Sequence, residues 1–166
     1  MKTSHTDEET AEETAGQADV GALEMMTRAL IGIALEGIHS EGTDVTLPQF
    51  RLLLALEGLG RVPSSKLAAR LGLAASAITR MGDRLEHAGL VQRGTDQGNR
   101  SIVTVELSVA GHRLVDGALA RRQERLAAVL DRMSPDDRAA AVRSARQFAH
   151  LSGDAVAVGA AGPVPL

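Results

Sequence analysis

Ser76, Thr79, Arg80 and Arg84 lie within the segment ASAITRMGDRLEH. In a helix this spacing puts them on one side, because residues three and four apart are surface neighbours. Ile78, Met81 and Leu85 fall on the other side and give it an apolar face. Hydroxyls and guanidinium forks on a helix anchored by its opposite face are the chemistry that phosphates and base edges require. A shorter helix precedes it, with Leu67, Ala68 and Leu71 inward and Gly72 at the turn, where a positive φ carries no steric penalty. Ser64, Ser65 and Lys66 open that helix, and free N–H groups beside a cation suit a phosphate. Ser64 reads equally well as a plain N-cap. Two short helices joined by a tight turn are the usual device for setting a helix in the DNA major groove.

The residues that follow extend the device. Val103, Val105 and Leu107 alternate with Thr104 and Glu106, the period of a half-buried strand. Between this strand and the one expected after Leu90 lies the turn-rich loop Thr95-Asp96-Gln97-Gly98-Asn99-Arg100. A helix-turn-helix followed by a hairpin is a winged helix, so the expected fold is mainly α with a small β-hairpin wing. Arg100 near the wing tip suits a narrow minor groove. Arg93 flanks the wing, and Gln97 and Asn99 could add hydrogen bonds, although turn chemistry alone accounts for Asn99.

Over about Leu23 to Leu151 the chain resembles MarR-type transcriptional regulators (multiple antibiotic resistance regulator). The resemblance is carried by LPQFRLLLALEGLG, LAARLGL, SAITRMGDRLEHAGLVQR and the wing ending in Asn99-Arg100, taken in that order and spacing. It implies a homodimer, a second motif helix in the major groove, a wing along the minor groove, and DNA affinity altered by a small molecule or an oxidant. The chain departs from the pattern in three places. Ala74 stands where the family often has a capping Ser, Gly98-Asn99 where it often has Asp-Asp, and Val109 where it often has Pro.

Composition sets the bounds. The chain has 166 residues, 44% of them hydrophobic, with Phe50 and Phe148 as its only aromatics, so the core must be aliphatic and helical. Without cysteine there is no disulfide and no thiol switch. No apolar run is long enough to span a membrane and no signal peptide is evident, so a cytoplasmic location is expected. The net charge of −3 hides an asymmetry. Residues 1–60 carry 3 basic and 11 acidic side chains, residues 61–100 carry 7 and 3, and residues 101–166 carry 8 and 7. The positive field coincides with the motif.

The chain is expected to divide into a disordered acidic tail (1–18), a MarR-type domain (19–151) and a flexible tail (152–166). Within the domain the winged motif spans about 47–108. Dimerisation helices span about 20–40, with Leu23, Met26, Leu30 and Ile33 as apolar stripe, and about 110–151. The second of these regions contains a long helix from about Ala110, with Val115, Leu119, Leu126, Val129, Leu130 and Met133 as its stripe, and a last helix opened by Ser134-Pro135-Asp136-Asp137. Apolar faces at both ends of the chain exceed what a small winged domain covers, and meeting their copies in a second chain would bury them.

Five histidines are scattered without a His-x3-His pair, so a metal assembled from His39, Glu41 and His112 has no local spacing behind it, and neither metal nor cofactor is expected. No nucleophile elbow, phosphate-binding glycine loop or carboxylate pair in a motif points to an enzyme. Two functions remain open. One is a dimeric, sequence-specific DNA-binding regulator, most often a repressor, acting on a pseudo-palindromic operator and released by an effector bound near His39, Phe50 and Arg51. The other is a winged-helix protein-interaction module without DNA binding, suggested by the acidic N-terminal half and by Ala74.

Overall fold

The computed structural model describes residues 4–39 and 43–152, with residues 4–15 described by their backbone alone. The elements are α1 (Ser4–His39), α2 (Leu47–Leu59), β1 (Val62–Pro63), α3 (Ser64–Leu71), α4 (Ala75–His87), β2 (Val91–Thr95), β3 (Val103–Leu107), α5 (Val109–Leu130) and α6 (Pro135–Leu151). The fold is mainly helical with one small antiparallel sheet, as expected. The helical path of α1 begins at Ser4, inside the stretch 1–18 read above as disordered. Ala11, Glu12, Glu13 and Ala15 are strong helix formers with no proline among them, so local propensity favours a helix where apolar periodicity is missing. Residues 153–166 of the expected flexible tail lie outside the described residues.

The sheet has three strands in the order β1-β3-β2, one more than a hairpin. In β2 and β3, Val91 lies opposite Leu107 and Thr95 opposite Val103. The short β1 pairs Val62 with Val105. It contains a proline and only two residues, so it leaves no alternating pattern to read. The expected apolar face of β3 is shifted at its start. Val103 is 47% exposed, whereas Thr104 is buried and accepts a hydrogen bond from Arg61 Nε at 3.1 Å.

One core unites the winged part with the long helices: Ile38 from α1, Leu52, Leu53 and Leu56 from α2, Leu67, Ile78, Leu85, and Val115 from α5 are almost fully buried. Local chemistry starts three of the helices. Thr46 precedes α2, and its N–H and Oγ1 both donate to Gln49 Oε1 at 2.9 Å, with Pro48 in the first turn. Ser108 caps α5, accepting from Gly111 N at 3.0 Å and donating to Gly89 O. Ser134 caps α6, accepting from Asp137 N at 3.2 Å. Two close approaches require glycine. A Cβ on Gly111 would overlap the Leu90 carbonyl, and one on Gly37 would stand 2.8 Å from the Ala118 carbonyl oxygen where α1 crosses α5.

The outer helices keep unpartnered apolar surface. In α1, Leu23, Met25, Met26 and Leu30 are exposed, and α6 buries no residue, with Phe148 57% and Leu151 75% exposed. No helix among the described residues is long and apolar enough to cross a membrane.

Candidate nucleic-acid interface

The turn between α3 and α4 is made at Gly72, in the left-handed conformation at φ 65° and ψ 32°. The Gly72 N–H bonds to Ala69 O and the Leu73 N–H to Ala68 O, which closes α3. Helix α4 then buries Ile78, Gly82 and Leu85, with Met81 half-buried, and leaves Ala75, Ser76, Thr79, Arg80, Asp83 and Arg84 exposed. Its N-cap is Ala74, which has no side-chain oxygen to accept from the first turn. Thr79 Oγ1 donates to Ala75 O at 3.0 Å.

Besides the shared core, one side chain ties the wing to α4. Arg93 on β2 lies 2.6 Å from Asp83 Oδ1 and 3.3 Å from Glu86 Oε2, and it donates to Thr79 O at 3.1 Å. Gly82 makes room for it: a Cβ there would stand 2.8 Å from the guanidinium. Arg93 was expected to contact DNA. Within the chain its guanidinium is held by Asp83, Glu86 and the Thr79 carbonyl, and so ties β2 to α4. Asp83 does not pair with its neighbour Arg84. A residue ten positions away takes it, because β2 returns alongside α4.

At the wing tip Asp96 Oδ1 accepts from Gly98 N at 2.9 Å and Asn99 N at 3.1 Å, and Asn99 Oδ1 accepts from Ser101 N at 3.0 Å. Asn99 is thus held in turn chemistry, while Gln97 and Arg100 project exposed beside it. A carboxylate fixes the tip by capping amides, without the Asp-Asp pair of the family pattern. At the base, Arg61 reaches Thr104 and lies 3.8 Å from Glu106 Oε1, with its guanidinium lying over Gly94.

All three acidic side chains of residues 61–100 are therefore engaged: Asp83 and Glu86 with Arg93, and Asp96 with the wing amides. Lys66, Arg80, Arg84 and Arg100 are exposed. None of these four has an ion-pair partner among the described residues. Ser65 is exposed as expected. Ser64 is the first helical residue and not the cap, which is Pro63, and its hydroxyl sits 3.5 Å from Val103 O.

Of the expected effector residues, one is closed off in the core. Phe50 is 4% exposed, packed in the core by the apolar turns of α2, which corrects its placement in an open crevice. His39 is exposed at the last turn of α1 and Arg51 is half-buried. A cavity of about 180 Å³ lies elsewhere, under α4, lined by Leu67, Ile78, Thr79, Arg93, Val103 and Val105 among others. His112 pairs with Glu57, Nδ1 to Oε2 2.7 Å, bracing α5 on α2, and Glu41 lies outside the described residues. Among the described residues no cluster of metal-ligating side chains occurs.

Two helices at a glycine turn, the second backed by a sheet and braced by a hairpin, define a winged helix-turn-helix protein. The MarR family model matches residues 45–103. A solved structure from Mycobacterium tuberculosis, RV1404, is 30% identical, covering 82% of this chain and 94% of that one, with a TM-score of 0.78. A MarR family protein from Bacillus stearothermophilus is 28% identical over 85% of this chain and 96% of its own, with a TM-score of 0.70. The HTH-type transcriptional regulator YfiV of Bacillus subtilis is 27% identical over 118 residues, 71% of this chain and 72% of its own length. The chain belongs to the MarR family of transcriptional regulators.

Proposed function

We propose that this protein is a sequence-specific DNA-binding regulator that acts as a homodimer on a pseudo-palindromic operator and represses by occupying it. One observation carries the reading. The acids of the winged motif are engaged internally, so the exposed Lys66, Arg80, Arg84 and Arg100 leave an open cationic face on α3, α4 and the wing. Phosphate neutralisation by such cations supplies most of the affinity and makes it salt-dependent. Ser76, Thr79 and Arg80 would contact base edges, with Gln97 and Arg100 following the adjacent groove. The unpartnered apolar faces of α1 and α6 support the dimer, which would set two α4 helices about one DNA turn apart.

A small-molecule effector held between the long helices and the winged part, near His39 and Arg51, would change the separation of the two α4 helices. DNA and effector affinities would then be linked reciprocally. No thiol takes part, since the chain has no cysteine.

The test is the double substitution Arg80→Ala with Arg100→Ala. The reading predicts that operator affinity collapses while the dimer, measured by sedimentation, persists. Unchanged affinity would remove both residues from the interface, and absence of DNA binding by the unsubstituted protein at low salt would move the function to protein interaction.

A further inference from the structure

The exposed side of α4 is made of two rows, each with steps of four residues. Ser76, Arg80 and Arg84 form one, rich in donors. Ala75, Thr79 and Asp83 form the other, on the wing side, because Asp83 is the residue that Arg93 of β2 holds. The second row has few polar options left. Thr79 spends its hydroxyl proton on Ala75 O at 3.0 Å, so its methyl group and an acceptor oxygen remain. Asp83 has its Oδ1 held 2.6 Å from Arg93, which turns that oxygen to the wing and leaves fewer acceptor sites for a cytosine amino group. Helix α4 has neither Asn nor Gln, the side chains that recognise adenine bidentately. Beside the Ser76 hydroxyl, two means of base recognition stand near the start of α4: an Arg fork for guanine, and protein methyl groups for the 5-methyl of thymine.

We propose that Ala75 and Thr79 form a methyl strip that recognises thymine 5-methyl groups, so that each operator half-site carries thymines under the first two turns of α4 beside a guanine taken by Arg80. This rests on the DNA-binding reading above and names the bases it selects. Burying one methyl group contributes about 0.8 kcal/mol, or about fourfold in affinity.

The test removes the methyl group from the DNA and not from the protein. Duplexes are first selected by the full-length protein from a random pool, then synthesised with deoxyuridine in place of the half-site thymidines. The expected result is a weakening of about fourfold for each contacted methyl. Thr79→Ser keeps the hydroxyl that bonds to Ala75 O and deletes only the methyl. It should lose affinity for thymine duplexes and show a smaller difference between thymine and uracil. Equal binding of the two duplexes by the unsubstituted protein overturns the methyl strip and leaves DNA recognition standing. Selection that enriches no sequence at all overturns the DNA-binding reading, and the strip with it.

Discussion

At the residue scale, the signals legible in the sequence are those whose chemistry is local. Gly72 was expected at the turn and sits there with φ 65°. Ala74 was recognised as a poor cap, and no side chain caps α4. Ala74→Ser should therefore stabilise the protein by about 1 kcal/mol in a thermal or urea melt, since a hydroxyl there accepts a first-turn N–H. No gain would mean that the first turn already finds another acceptor. Gly111 was not legible, because its requirement comes from the Leu90 carbonyl, brought against α5 by the return of the chain. Gly111→Ala should destabilise by about 1–3 kcal/mol, with a lower urea midpoint and unchanged slope, because backbone cannot yield as a flexible side chain can.

At the scale of elements, the angle between wing and α4 depends on Arg93. Arg93→Gln leaves Asp83 and Glu86 side by side without their cation. Helix content should be retained while amide exchange in β2 and the second half of α4 accelerates, with a stability loss of about 1–2 kcal/mol. Unchanged exchange in β2 would show that strand pairing alone holds the wing. The existence of α3, α4 and the hairpin was legible from apolar periodicity. The role of Arg93 was not, because two charges far apart in sequence meet only after β2 folds back. The same holds for β1 and for the exchange of Val103 and Thr104, which follow from pairing with a two-residue strand and from Arg61 covering Thr104. Phe50 was named as an effector residue, but α2 is buried on several sides and takes Phe50 into the core.

At the scale of the whole molecule, the account needs a second chain. Leu23, Met26 and Leu30 of α1 were read from the sequence as a face that the winged part could not cover; in the single chain they are uncovered, and so are Phe148 and Leu151 of α6. Leu30→Glu with Phe148→Glu should halve the mass in sedimentation and weaken operator binding, because a charge in an apolar interface must be desolvated without a partner. An unchanged mass would place the interface elsewhere. The measurement that tests the central claim most directly is fluorescence anisotropy of the full-length protein. The probes are DNA from immediately upstream of its own gene and a scrambled duplex, each at about 50 and 200 mM salt. The account predicts tight binding to the upstream DNA, weaker binding to the scramble, and a loss of about a thousandfold between the two salts if about six phosphates are neutralised by the dimer. Binding to neither duplex at the lower salt would contradict it.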